Sequence, residues 1–305
     1  MKVAAFLFAL ITVPAFAATP WETYETQKLA MIHQQLETFE HDVTALCTAV
    51  DDDSQSLEEQ GASYQQALDS LQNLHGNWLG YQLLAPYRLE ASGLAFRFSF
   101  WPDRKDLTRR QAQALLASNT MDFGKAPAPA VALGGAEYVL SAQQAPASQS
   151  CRYFTAWIIN FSAMLQQVES ITNTPDQATL AFQFNQYTSL LGMTEKRIDA
   201  VAGSKTQLNL YGMEGWRTGS QLIILGHLFN AIREMEEVLK QQTDAALWND
   251  FDAVMVVLST GEEPQMPLKS WVIQKTIVES LVKLLVTEMA PELGITIGFS
   301  NLDGD

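Results

Sequence analysis

Ile32-His33-Gln34-Gln35-Leu36-Glu37-Thr38-Phe39-Glu40-His41-Asp42-Val43-Thr44-Ala45-Leu46 decides the fold class. Ile32, Leu36, Phe39, Val43 and Leu46 recur at steps of 4, 3, 4 and 3, the rhythm of one helix face turned towards a bundle. The same rhythm returns at Leu225, Leu228, Ile232, Met235 and Leu239. Outward from these stripes nearly every segment reads as helix. Ser56-Leu57-Glu58-Glu59 has the form of a capping box opening a second helix that runs towards Leu84 and stops at Pro86. Further helices are expected near 106–118, 130–142, 150–171, 176–202, 213–241, 243–259 and 268–290. The fold class is therefore all-α, as two consecutive four-helix up-down bundles.

Two stretches interrupt that pattern. Leu94, Phe96, Phe98 and Phe100 alternate with Ala95, Arg97, Ser99 and Trp101; a period of two predicts an extended segment or a packed aromatic loop, and marks 86–104 as an irregular insert. Thr174-Pro175-Asp176-Gln177 combines an N-cap with a proline at the first helical position, so a boundary between units 18–173 and 174–305 is expected just before it. The ending Gly298-Phe299-Ser300-Asn301-Leu302-Asp303-Gly304-Asp305 is apolar and turn-forming. Termini usually fray, so such an ending predicts a tail folded back onto the body.

Residues 1–17 read as a secretory signal: Lys2 gives the positive start, Val3 to Val13 the apolar core, and Ala15-Phe16-Ala17 the cleavage pattern. The apolar run is too short for an anchor. The remaining chain is long enough for two domains. A formal net charge of −15 and the absence of any basic run exclude a phosphate backbone as partner. In an exported chain the two cysteines, Cys47 and Cys151, favour a disulfide over free or metal-bound thiols. The bundle layout agrees: Cys47 ends the first long helix and Cys151 begins the 150–171 helix, at the same pole.

Several short anchors then resemble the imelysin-like proteins of the bacterial cell envelope. They are Trp78 and Tyr81 before Pro86; Trp101-Pro102-Asp103; Val131-Ala132-Leu133-Gly134-Gly135-Ala136-Glu137-Tyr138-Val139-Leu140; Cys151-Arg152-Tyr153; Glu214-Gly215-Trp216-Arg217-Thr218-Gly219-Ser220; and the tail. The resemblance spans the mature chain and implies a periplasmic or cell-envelope protein of two helical bundles with a site in the cleft between them. Members regarded as peptidases, or as metal-binding, carry glycine-x-histidine-x-x-glutamate, with imidazole and carboxylate on one helix face. Here Ala132 and Gly134 stand at the glycine and histidine positions and only Glu137 remains. Gly134 has no side chain to ligate anything, so the expectation is a binding protein without peptidase activity. Iron acquisition is the process the resemblance suggests, with Glu137 the one metal-ligating candidate. The alternatives are a metal-dependent peptidase that draws a histidine from another helix, and a module binding a peptide or envelope protein.

Glu137 lies among Leu133, Tyr138 and Leu140, where a carboxylate must be paired, hydrated or protonated. Glu214 and Arg217 lie three apart at a helix start; they read as a local ion pair, or as an anion clamp with its orienting partner. Trp101, Asp103, Glu137, Glu214 and Arg217 are expected to meet in one cleft. Asp103, Asp303 and Asp305 are turn-capping residues or oxygen ligands. None of His33, His41, His75 and His227 has a glutamate three residues on. His33, Glu37 and His41 project roughly 100–180° from their helix's stripe, the solvated side, and His227 reads as a packing residue beside Leu228. Gly-x-Ser-x-Gly and CxxC patterns are absent, so nucleophilic catalysis has no support.

Overall fold

The capping box at Ser56 forms as the sequence predicts: the Ser56 hydroxyl accepts from the Glu59 N–H (3.3 Å), and the Glu59 carboxylate accepts from the Ser56 N–H (2.8 Å). The computed structural model describes residues 19–51, 55–118, 120–142, 147–171, 179–203, 206–259 and 266–298. The helices are α1 (Pro20–Asp51), α2 (Leu57–Leu84), α3 (Pro86–Ser92), α4 (Ala95–Phe98), α5 (Leu107–Ala117), α6 (Ala128–Val131), α7 (Leu133–Ala142), α8 (Ala147–Glu169), α9 (Leu180–Ala202), α10 (Gln221–Lys240), α11 (Asn249–Met255), α12 (Leu268–Leu284) and α13 (Ala290–Glu292), with π-helical winding at Leu285–Met289 between the last two. No strand occurs among the described residues, and no helix among them is long and apolar enough to cross a membrane.

Helix α2 is the hinge of the architecture. It packs on α1 and α7 and also on α9 and α10, and from Ala67 to Leu84 it is buried almost all round. Two glycines four residues apart let α10 approach closely. A Cβ on Gly76 would stand 2.3 Å from Cδ2 of His227, and one on Gly80 would stand 3.0 Å from Cβ of Ala231. His227 thus packs into the notch left by Gly76 and bonds Asn73 Oδ1 through Nε2 at 3.1 Å. Burial, then the charge of Lys28, lowers its pKa.

The stripe residues Ile32, Leu36, Phe39 and Val43 are buried, and Phe39 sits edge-on to Phe154 and Trp157 of α8. Their outer neighbours take the other side: His41 is exposed and pairs with Asp42, while His33 is half-buried and bonds Glu169 at 2.5 Å. Cys47 and Cys151 are joined in a disulfide with their Cα atoms 5.8 Å apart.

Some expectations need correction. The 94–101 stretch is not extended throughout: Leu94 and Ala95–Phe98 form a helical turn and the backbone becomes extended only at Ser99; Phe98 is buried and stacks on Trp78 at 3.9 Å while Phe96 stays exposed. The segment 130–142 breaks into α6 and α7 at Ala132, whose ψ of 165° is extended. The N-cap of α9 is Thr179, which accepts from the Phe182 N–H. The proposed start at Thr174 lies outside the described residues, as do the secretory signal, Asp303 and Asp305. Before the described chain ends, Asn185 accepts from the Gly298 N–H (2.6 Å) and donates to the Thr296 carbonyl (3.4 Å).

Candidate functional site

The break between α6 and α7 sets the site. Tyr153 donates to the Ala130 carbonyl (2.7 Å) and Trp157 to the Val131 carbonyl (2.8 Å). Gly135 has no room for a side chain: a Cβ there would lie 2.5 Å from that Ala130 oxygen. So anchored, the first turns of α7 present Gly134 and Glu137, three apart, on one face.

Glu137 has its partner, and the partner comes from α2. His75 Nδ1 lies 2.8 Å from Glu137 Oε1, with both side chains 1% exposed. The other ring nitrogen, Nε2, is buried with no partner in the protein.

The 99–106 stretch supplies the second wall. The Trp101–Pro102 peptide bond is cis. Trp101 donates from Nε1 to the Gly212 carbonyl at 3.0 Å. Asp103 caps α5 by accepting from the N–H groups of Leu107 (2.7 Å) and Thr108 (3.1 Å), the capping role its position suggested.

The third wall is the 213–219 turn. Glu214 and Arg217 do not pair with each other, because this stretch is not a helix start. Gly215 (φ 80°) and Gly219 (φ 71°) take left-handed backbone, and α10 begins only at Gln221, so residues three apart do not share a face. Glu214 is held in a fork by Arg197 of α9, from Nε at 3.1 Å and Nη2 at 2.8 Å. Arg217 reaches across to the other half of the chain, donating from Nη2 to Asp103 (3.1 Å) and Asp106 (2.8 Å). Burial pushes the Asp106 carboxyl up, but the bonds from Arg109 and Arg217 outweigh it and hold the group below its ordinary range. Each arginine lies over a tryptophan, Arg197 over Trp101 at 4.6 Å and Arg217 over Trp216 at 4.4 Å, both within cation–π range.

Trp101, Asp103, Glu137, Glu214 and Arg217 all line one cavity of about 20 Å³, together with His75, Ser99, Thr108 and Gly134. That volume is on the order of one water molecule. Sequence reasoning missed His75 and Arg197. Both carried a signal: each is a charged or titratable residue on a largely apolar helix face, His75 beside Leu71, Leu74 and Trp78, and Arg197 beside Leu190, Ile198 and Val201. No His, Cys, Asp and Glu group of three or more gathers as a metal centre among the described residues.

This helical arrangement is the imelysin-like fold. The chain is similar to the crystal structure of an imelysin-like protein from Psychrobacter arcticum 273-4, with a TM-score of 0.66 over 92% of this chain and 97% of that one, at 15% identity. The sequence itself matches no family model and no curated protein, so the likeness is one of fold.

Proposed function

We propose that this chain is an exported, imelysin-like binding protein of the cell envelope without peptidase activity, and that the cavity walled by Trp101, Asp103, Glu137, Glu214 and Arg217 is its ligand site. The chain is read as two helical units, 18–173 and 174–305, that meet at this site. One observation carries the reading: the carboxylates of the cavity are already engaged by the protein's own cations and imidazole. Glu137 is held by His75, Glu214 by Arg197 and Asp103 by Arg217. A space of about 20 Å³ has no place for a peptide bond and an attacking water together. The same engagement bears on metal. One imidazole and one carboxylate bonded to each other do not make a metal centre, which takes three or more protein ligands. The residues do not fit a resident ion, and the link to iron acquisition rests on the resemblance alone.

A second reading has one specific support. His75 brings an imidazole from another helix to Glu137, the donor pair that a metal-dependent peptidase would need. Purified mature protein incubated with unfolded casein separates the two. No cleavage above background is expected with or without added zinc; chelator-sensitive cleavage abolished by Glu137→Ala would establish the peptidase. Metal analysis, followed by calorimetric titration with iron, zinc, copper and calcium, is expected to find no tightly held ion.

A further inference from the structure

Gly134 leaves an opening in the cavity wall. A Cβ there would meet only Thr108, with Cγ2 at 3.7 Å, and Arg217, with Nη1 at 3.9 Å, both ordinary contacts. Where a side chain would begin, there is thus room for a methyl group in ordinary contact with a guanidinium nitrogen. Arg217 makes both of its carboxylate bonds through Nη2, so neither carboxylate engages Nη1. One helical turn along the same face stands Glu137, which fixes His75 through Nδ1 and leaves the buried Nε2 without a partner. His75 Nε2, a buried nitrogen with unmet hydrogen bonding, thus borders the same cavity as Arg217, and buried groups of this kind ordinarily have partners.

We propose that this slot receives the carboxyl group of a small acid with an apolar or aromatic body. One carboxyl oxygen accepts from Arg217 Nη1, and the other shares a proton with His75 Nε2. The proposal rests on the reading of the cavity as a ligand site and names what it takes. Charge favours entry with the proton. The lining already holds Asp103, Glu137 and Glu214 with Arg217 as its one cation, and Arg197 behind it engages Glu214, in a chain of net charge −15. A carboxylic acid adds no charge to that set, whichever side of the new bond keeps the proton. Only the oxygen that meets His75 Nε2 enters the interior, which has room for about one water; the oxygen on Arg217 Nη1 stays at the mouth. The body then rests at the rim, where Tyr211 is 73% exposed and meets Trp216 edge-on at 4.7 Å; aromatic faces of this kind take up apolar surface.

The test uses the mature protein and three probes: phenylacetate, phenylacetamide and acetate, titrated by calorimetry and by tryptophan fluorescence. Phenylacetate is expected to bind, and phenylacetamide and acetate each at least tenfold more weakly. Gly134→Leu, which fills the slot, and Arg217→Met should each weaken phenylacetate at least tenfold. Gly134→Ala, whose Cβ fits, keeps a native melting curve and controls for folding; if the leucine variant does not fold, Arg217→Lys takes its place, with a loss of the same order expected. Phenylacetate binding that is indifferent to these substitutions overturns the proposal. Binding of a divalent metal instead, lost in His75→Ala, also overturns it but leaves the cavity as the ligand site. Failure of the acids and of metals alike overturns both readings.

Discussion

His75 and Glu137 lie 62 residues apart in sequence, yet their side chains meet at 2.8 Å in a place almost closed to solvent. The pair ties α2, which packs on α1, α9 and α10 as well, to α7, the helix that forms the back of the cavity. Its stability consequence is direct. His75→Ala leaves a buried carboxylate without its partner and should cost about 3 kcal/mol, the upper end for an unmet buried group. Glu137→Gln keeps a bond to the ring and should cost less. Urea denaturation of the single and double variants is expected to give a coupling of roughly 1–3 kcal/mol; additive losses would mean that the two side chains do not interact.

The notch between α2 and α10 makes a sharper steric prediction. A methyl group on Gly76 collides with the His227 ring, its nearest atom being 2.3 Å away. Gly76→Ala should therefore destabilise by about 1–3 kcal/mol, the usual cost of overpacking. In a His227→Ala background the same substitution should cost far less. Melting curves of the four proteins test this; equal losses in both backgrounds would show that the helices yield without resistance.

These relationships divide according to what a sequence can express. Periodicity exposed the helices because Ile32, Leu36, Phe39 and Val43 all bury on one face. The capping box at Ser56 and Glu59 is a local device, legible from four residues. The five cavity residues were singled out because each lies in an anchor that resembles the imelysin-like proteins, as a polar or aromatic residue in a glycine- or tryptophan-rich segment. Their pairings were not legible, since each crosses between elements: Glu214 to Arg197, Arg217 to Asp103 and Asp106, Glu137 to His75. The Glu214–Arg217 spacing misled because it assumed a helix where two glycines place left-handed backbone. His75 was passed over because a search for histidine and glutamate at helical spacing cannot see a partner on another helix.

A pH dependence follows from Glu236 on α10. Burial, and then its bond to Asp252 of α11, push its carboxyl up to about 7 in spite of Lys240 at 2.6 Å. The native state thus holds a proton more tightly than the unfolded chain does. The stability this contributes is complete below the ordinary glutamate value of about 4.3 and is lost as pH rises through about 7. Glu236→Gln imitates the protonated form permanently. Wild type and variant should therefore melt together near about pH 5, and the variant should melt higher near about pH 8.5. A melting difference that stays constant across that interval would contradict the assignment.

The disulfide carries a separate prediction. Cys47 and Cys151 close a loop with a sequence separation of 104; by chain entropy such a closure contributes roughly 3–5 kcal/mol. Thiol titration of the denatured, unreduced protein should find almost none. Cys47→Ser/Cys151→Ser should lower the urea midpoint by an amount equivalent to that range, with Glu137 and its surroundings unaltered. Two reactive thiols in the purified protein would refute the pairing in solution.

Arg197 and Arg217 look alike in sequence but differ in what they leave behind when removed. Arg197 is 1% exposed and holds Glu214, itself buried, by both nitrogens of its fork. Arg197→Met strands that carboxylate without a cation, and breaking a buried pair in this way costs about 3–5 kcal/mol. Arg217→Met strands less. Asp103 keeps its two bonds from the Leu107 and Thr108 N–H groups, and Asp106 keeps Arg109 at 2.5 Å and is partly open to water. Its loss should be about 1 kcal/mol, the net value of an ordinary hydrogen bond. Urea denaturation should rank Arg197→Met well below Arg217→Met, and adding Glu214→Leu should restore much of what Arg197→Met removes, because an apolar pair no longer needs a counter-ion. Equal losses for the two arginines, or no restoration by Glu214→Leu, would assign the Arg197–Glu214 fork no structural role.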